Sequence, residues 1–223
     1  MILLVGVAHV LDMRKYLTGL FSEVAPAAIA IELDPDRLAS LLERSQSDGK
    51  GPPGGKPAGT PLLLRVWSTV QDRLAADLGD IPGSEMLVAY QAAQELKVPL
   101  FLIDDPIRQV APRLMSSLTP RERVLLLISS VFALVTPSRI VKKELANYTQ
   151  DREAYVAAMR SQFPSMARVL LDERNLHMAQ RLKLLSDKFG KVVAVVGDAH
   201  VSGLEGLLRT QTEVTVRHLV AEA

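Results

Sequence analysis

A hexapeptide that contains histidine occurs twice in the sequence, once near each end. Residues 5–10 read VGVAHV and residues 196–201 read VGDAHV, so five of the six positions are identical. Each copy follows an apolar run, and the whole chain has only four histidines, so the repeat is not expected by chance. Because imidazole titrates near neutral pH and ligates metals through its ring nitrogens, His9 and His200 are the first candidates for chemistry.

Carboxylates follow two other apolar runs in the same manner. Glu32 lies near the end of one predicted strand, and Asp104 comes directly after another. The carboxyl ends of parallel strands meet at one edge of a sheet, where open α/β folds bind ligands, so we expect these acids to converge with His9 and His200. Such a set suits a divalent metal ion with open positions for water, or general acid–base catalysis. Structural roles stay open: a first-turn acid for Glu32, and a turn acid before Pro106 for Asp104.

The elements that must position these residues follow a strand–helix–strand rhythm. Continuous branched apolar runs predict buried parallel strands, and the patterns between them predict helices. The predicted strands cover residues 2–7, 27–33, 99–103 and 191–196, with an edge strand at 213–218. Helices are predicted at residues 11–24 and 34–44. The sequence therefore predicts an α/β fold with flanking helices, right-handed crossovers and a mostly parallel central sheet of about four to six strands.

Two segments interrupt this rhythm. Residues 45–61 are rich in Gly, Pro and Lys and predict a flexible loop, with a lid over a site as the alternative. Residues 106–188 contain no convincing strand and predict a large helical insertion before the last strands, inside a single domain of residues 1–223. Within this insertion the apolar residues 124–135 predict a buried helix, with a surface that docks on a partner or membrane as the alternative.

Composition narrows the class of protein further. The 26 basic and 25 acidic residues leave a net charge of +1, which argues against a nucleic-acid partner. No cysteine is present, so disulfides, thiolate metal ligands and a cysteine nucleophile are excluded. No run reaches the roughly 20 apolar residues of a membrane span, and Met1 leads into apolar ILLV without a recognisable signal peptide. We therefore expect a cytoplasmic protein, with membrane association as the alternative.

Several motifs together resemble the TraB family, which belongs with the pheromone-shutdown, GumN-like and Tiki proteins. The resemblance rests on VGVAHV, IELDPDR, LGDIPGSEM, LIDDPIRQVAPR, DERN and VVAVVGDAHVSGL, and it extends from Gly6 to Gly203. The paired Gly-x-x-His motifs at residues 6–9 and 197–200 are its most specific part. It implies the Tiki-type, EreA/ChaN-like arrangement of the α/β fold.

Tiki relatives are metal-dependent proteases whose signature combines the two Gly-x-x-His motifs with a glutamate and an arginine. The resemblance therefore implies that His9, His200 and Glu32 are ligands of a divalent metal ion of unknown identity. It also implies a catalytic glutamate, which is Glu32 or, as the second candidate, Glu85 of PGSEM. From the residues alone, Ser84 predicts an N-cap with Glu85 in the first turn, where a simple capping acid is an equal alternative.

The arginine of the signature is Arg174 of DERN, with Arg108 of DPIRQ as the less natural choice. From the residues alone, Arg174 either belongs to a solvated helix face or points into the cleft and binds a carboxylate or a polarised carbonyl.

The leading hypothesis is a metal-dependent hydrolase of the metalloprotease type that acts on a peptide. The partner is then a peptide or small signal molecule, and a homo-oligomer is a compatible assembly. One alternative is a non-catalytic module that binds a peptide or signal, of the pheromone-shutdown type. Another is a protein that binds haem or a different cofactor through one histidine. Family members often continue into a C-terminal membrane region, and no transmembrane segment is recognised in this sequence.

Overall fold

Five parallel strands form one sheet at the centre of the protein. The structure is a computed structural model, and it describes residues 1–7, 13–46, 83–136 and 152–219. The strands are β1 (Ile2–Val7), β2 (Ala28–Ile31), β3 (Leu100–Leu102), β4 (Val192–Gly197) and β5 (Val214–Leu219). Their spatial order is β3-β2-β4-β1-β5, and every pairing is parallel. The predicted α/β fold with a mostly parallel sheet is confirmed, and β5 lies at an edge as expected.

The helices of the described chain lie between β1 and β5 in sequence. They are α1 (Met13–Val24), α2 (Pro35–Gln46), α3 (Ser84–Leu96), α4 (Ile107–Ser117), α5 (Pro120–Val135), α6 (Arg152–Gln162), α7 (Pro164–Ala167), α8 (Glu173–Phe189) and α9 (Asp198–Leu208). A π-helical turn, Arg168–Asp172, joins α7 to α8 without a break in the helix. In the described part of residues 106–188 every regular element is helical, as predicted.

The sheet is covered on both faces, which explains why its central strands are continuously apolar. Alternate residues of β2 show the division: Ile29 and Ile31 pack with α1, α2 and α3, whereas Ala28 and Ala30 pack with α8 and α9. All six residues of β1 are buried. Glu32 continues the alternation of Ala28 and Ala30, and its side chain accordingly meets α8 and α9.

Three local predictions need correction. The helix α2 continues to Gln46, so the first two residues of the predicted 45–61 loop are helical, and residues 47–61 lie outside the described part. Gly83, with φ 90°, is the N-cap of α3, and Ser84 is already helical. The apolar run 124–135 forms a helix, α5, but not a buried one, because Val124 is 56% and Phe132 is 65% exposed. Part of the apolar surface of α5 is therefore exposed.

Candidate functional site

The strands that carry the two copies of the hexapeptide are neighbours in the sheet. Gly6 of β1 lies opposite Val196 of β4, and Val7 lies opposite Gly197. The described parts of the two copies therefore run side by side in parallel, displaced by one residue. Both lead to the same edge of the sheet, although His9 itself lies outside the described residues.

Both glycines of the repeat lie where an added side chain would be crowded, severely at Gly6 and slightly at Gly197. A Cβ atom added to Gly6 would lie 2.5 Å from Asp198 Oδ1 and 2.6 Å from Val201 Cγ2, so this glycine lets the start of α9 rest on β1. A Cβ atom on Gly197 would lie 3.3 Å from Glu32 Oε2. The Gly-x-x-His pattern thus reflects backbone packing around a polar site.

Glu32 is held between the first turns of two helices. Its Oε2 accepts a hydrogen bond from the Gly197 N–H at 2.7 Å, where β4 passes into α9. Its Oε1 accepts a bond from Arg174 Nη2 at 2.5 Å and lies 3.2 Å from His200 Nε2. The structure therefore brings together Glu32, Arg174 and His200, three of the residues predicted from sequence.

Arg174 uses all five of its N–H groups within the protein. Nε and Nη2 donate to the two oxygens of Asp104, at 2.8 and 2.7 Å. The second Nη2 hydrogen goes to Glu32, and Nη1 contacts the Leu170 carbonyl at 3.0 Å and His200 Nε2 at 3.1 Å. The Leu170 carbonyl belongs to the π-helical turn, a feature that often occurs at functional sites. Arg174 therefore points inward and binds carboxylates of the protein itself, and it does not belong to a solvated helix face.

His200 lies in the first turn of α9 and is almost fully buried. Its Nδ1 is 2.6 Å from Asn175 Oδ1, so this nitrogen carries the hydrogen and donates it. In the neutral imidazole Nε2 then keeps its lone pair, which accepts the bond from Arg174 Nη1. Asn175 therefore sets both the orientation and the tautomer of His200, in the way that outer groups orient metal-bound histidines.

Asp104 completes the group, which we call the arginine cluster: Glu32, Asp104, Arg174 and His200. Besides its two bonds to Arg174, Asp104 accepts one from Arg37 Nη1 at 2.9 Å. Two carboxylates thus face two guanidinium groups, so the charges balance when the imidazole is neutral.

Burial and charge act in opposite directions in this cluster. Burial by itself raises the pKa of Glu32, but His200 whenever its ring is protonated, together with Arg174 and the Gly197 N–H, lowers the pKa by more, so it falls well below its ordinary value. Burial by itself lowers the pKa of Arg174, but its bonds to Asp104 and Glu32 raise the pKa by more, so it lies above its ordinary value. Both groups are therefore charged at neutral pH.

Other residues named from the sequence lie elsewhere. Glu85 is in the first turn of α3, whose core residues pack on the face of the sheet opposite to α8 and α9. Arg108 is 73% exposed and lies 3.8 Å from Asp36. The structure thus places Arg174, and not Arg108, beside the histidine and glutamate.

Sequence reasoning missed a second polar pair on the other side of the first turn of α9. His218 Nδ1 on β5 is 2.7 Å from Asp198 Oδ1, and Asp198 belongs to the second hexapeptide. Both line a pocket of about 530 Å³ between α6 and α9, together with Arg160 and Ser202. Asp198 is the one position at which the two hexapeptides differ, and this difference could have identified it as a candidate. His218 had none, because its place beside β1 depends on strand pairing.

Asn175 and Asp34 were also missed. Asp34 caps α2 through Oδ1, which accepts bonds from the backbone N–H groups of Asp36 and Arg37. Its Oδ2 is buried without a hydrogen-bond partner among the described residues. Asn175 directly follows Arg174 in DERN, and only the packing of α8 on α9 reveals that it contacts His200.

The donors of the arginine cluster suit a divalent ion in type and spacing. Two ligands of one ion lie about 3.0–3.5 Å apart when each is about 2.0–2.2 Å from it. Glu32 Oε1 and His200 Nε2 are 3.2 Å apart, and both are held by other bonds. Within the described ranges no group of three or more His, Asp or Glu side chains is arranged to hold a metal. His9, the further ligand predicted from the sequence, lies outside the described residues.

A parallel sheet with helices on both faces, and polar side chains at the carboxyl ends of its strands, defines an open α/β protein with its site at the sheet edge. Within that class, this chain belongs to the TraB/PrgY/gumN family, whose model matches residues 1–214. An uncharacterized protein of Methanocaldococcus jannaschii, MJ1365, is 30% identical over 211 residues, which are 93% of this chain and 53% of the relative. The chain thus spans about half the length of this curated relative. No helix in the described ranges has the length and apolar character to cross a membrane.

Proposed function

We propose that this protein is a hydrolase that cleaves a peptide with the help of a divalent metal ion at the arginine cluster. The observation that carries the proposal is the contact between Glu32, Arg174 and His200 at the edge where β1 and β4 end. His200 Nε2, Glu32 Oε1 and a nitrogen of His9 are the proposed ligands. When bound, the ion lowers the pKa of a water molecule and polarises the carbonyl that is cleaved.

The residues of the chain have distinct proposed roles. Glu32 is a better ligand than general base, because a carboxylate whose pKa is held low accepts a proton weakly. Arg174 donates to the carbonyl oxygen as negative charge develops on it. Asn175 keeps the Nδ1 hydrogen of His200 in place, so that Nε2 is available as a ligand. In the reaction water adds to the carbonyl carbon, the C–N bond breaks, and the proton of the water passes to the departing amine.

The pocket beside α9 supports a peptide as the substrate class. It lies next to Asp198 and Ser202, in the same helical turns that carry His200. We take an extended peptide as the substrate class because such a chain is long enough to occupy a second binding position beside the arginine cluster, and this pocket is the proposed position.

The test is metal binding and peptide turnover by the untagged full chain. His9→Ala and His200→Ala are each expected to abolish turnover and to weaken metal binding at least about 100-fold, because each removes a ligand. Metal content is measured by elemental analysis and affinity by calorimetry, with a peptide library for turnover and circular dichroism as the check of the fold.

A comparison of two glutamates assigns their roles. Glu32→Gln is expected to weaken metal binding itself, whereas Glu85→Gln is expected to leave the affinity unchanged and, if Glu85 is the general base, to lower kcat alone. A folded protein that binds no divalent ion under any condition contradicts the proposal and favours a module that binds peptides without cleaving them. Normal metal binding by both histidine variants shows instead that the hexapeptide is structural.

A further inference from the structure

The Nε2 atom of His200 has a single lone pair, and the protein already uses it. The hydrogen on Nδ1 goes to Asn175 Oδ1, which leaves Nε2 as the only acceptor of the ring. Arg174 Nη1 lies 3.1 Å from this atom and can only donate. A metal ion needs the same lone pair, so His200 cannot hold an ion and Arg174 at the same time.

Arg174 also occupies the second proposed ligand. Its Nη2 donates to Glu32 Oε1, the glutamate oxygen that lies 3.2 Å from His200 Nε2. The guanidinium is thus a cation bound between the two atoms that would share a metal ion. Its side chain is only 13% exposed, so water does little to weaken these contacts.

We propose that Arg174 is a built-in competitor of the metal ion: the guanidinium occupies the cation position of the site, and an ion binds only when Arg174 releases His200 and Glu32. This inference rests on the proposed function and adds a control of metal occupancy to it. Asp104 can retain the guanidinium when it leaves the two ligands, because the bonds from Nε and Nη2 to Asp104 involve neither His200 nor Glu32. A released Arg174 then has one Nη1 hydrogen and one Nη2 hydrogen for the oxygen of a substrate, while its other Nη1 hydrogen stays with the Leu170 carbonyl.

The experiment measures the affinity of the full chain for Zn²⁺ and Mn²⁺ by calorimetry. Arg174→Gln removes the competing cation and keeps a polar side chain, so it is expected to bind either ion at least about tenfold more tightly than the wild type. Because Arg174→Gln leaves Asp104 buried without its main partner, the double variant Asp104→Asn with Arg174→Gln is measured too. It removes both members of the pair, and the same gain in affinity is expected.

Arg37→Gln is the matched control. It also removes one positive charge from Asp104, but its contact is with Asp104 and not with the proposed ligands. If Arg174 and the metal ion compete for the lone pair of His200, the metal affinity of Arg37→Gln is expected to stay within about twofold of that of the wild type. A gain equal to that of Arg174→Gln shows a general effect of charge and overturns the inference.

The remaining outcomes separate the two proposals. If the wild type binds metal and both Arg174 variants bind it equally or more weakly, Arg174 does not compete, and the proposed function stands without this inference. If neither the wild type nor any variant binds an ion while all are folded, the proposed function fails and the inference fails with it.

Discussion

Arg174 orders the side chains around it because a guanidinium has five donors in one rigid plane. Each donor is matched by an acceptor, and the acceptors come from two strand ends, the π-helical turn and α9. A lysine in this place offers three hydrogens from one point and reaches fewer of these acceptors. The arrangement therefore depends on arginine as such and not only on a positive charge.

Asp104→Ala is expected to destabilise the protein by about 3 kcal/mol, because it leaves two donors of a buried guanidinium without partners. The free energy of unfolding is measured with urea. Asp187→Ala is the control: Asp187 pairs with Lys183 on the exposed side of α8, and its loss is expected to cost about 0.5 kcal/mol or less. Equal losses in the two variants contradict a special role for the buried pair.

At the scale of elements, α9 connects the site to the core. Its first turn carries Asp198 and His200, and its later residues Leu204 and Leu208 are fully buried against the sheet. It approaches α8 closely at Gly203, where an added Cβ would collide with Asn175 Nδ2. The helix thus positions Asn175, which in turn orients His200.

Gly203→Ala and Gly206→Ala are expected to change stability in opposite directions. Alanine is favoured over glycine inside a helix by roughly 0.5–1 kcal/mol, and nothing lies within 4 Å of a Cβ on Gly206, so Gly206→Ala is expected to stabilise. Gly203→Ala is expected to destabilise by about 1–3 kcal/mol, because Asn175 must move. Urea unfolding measures both, and a nitrogen-15 spectrum of the histidines reports whether His200 changes its tautomer. If Gly203→Ala is instead more stable than the wild type, Asn175 can move aside at little cost in free energy, which contradicts the prediction.

At the scale of the whole molecule, one buried carboxylate ties distant helices together. Glu122 forms a capping box with Thr119 at the start of α5, and its Oε1 accepts a bond from the Ser165 N–H in α7 at 2.7 Å. Burial by itself raises the pKa of Glu122, but the bonds from Thr119 and Ser165 lower the pKa to about 2. The carboxylate of Glu122 thus accepts hydrogen bonds from residues at the start of both helices.

This lowered pKa gives stability a defined pH dependence. Between the ordinary pKa of 4.5 and about 2 the unfolded chain binds the proton more readily, so the contribution of Glu122 is complete above pH 4.5 and is lost as the pH falls towards 2. Glu122→Gln is expected to cost about 1–2 kcal/mol near neutral pH, and its difference from the wild type is expected to shrink in acid. Unfolding is measured from pH 7 to 2.5, with the exposed Glu95→Gln as control. A difference that stays constant with pH contradicts this account.

The strands, their parallel arrangement and the edge at which the site lies could all be predicted from the amino-acid sequence. Burial on both faces requires continuous apolar runs, and parallel strands bring the residues after their carboxyl ends to one edge. The convergence of Glu32, Asp104 and His200 could therefore be predicted as well. The recurrence of glycine three residues before histidine identified the positions where the backbone packs closely.

The identity of neighbouring strands and the direction in which the helices face depend on tertiary structure. β1 pairs with β4 and β5, which are separated from it by most of the chain, and no local pattern contains that pairing. The inward direction of Arg174, the place of Glu85 in the other helical layer and the exposure of α5 arise in the same way. Periodicity shows that a residue belongs to one face of a helix, but the partner of that face is supplied by residues far away in sequence. For that reason His200 and Glu32 could be placed at the sheet edge from their positions after apolar runs, whereas only the fold shows that Arg174, named by the family resemblance, lies between them.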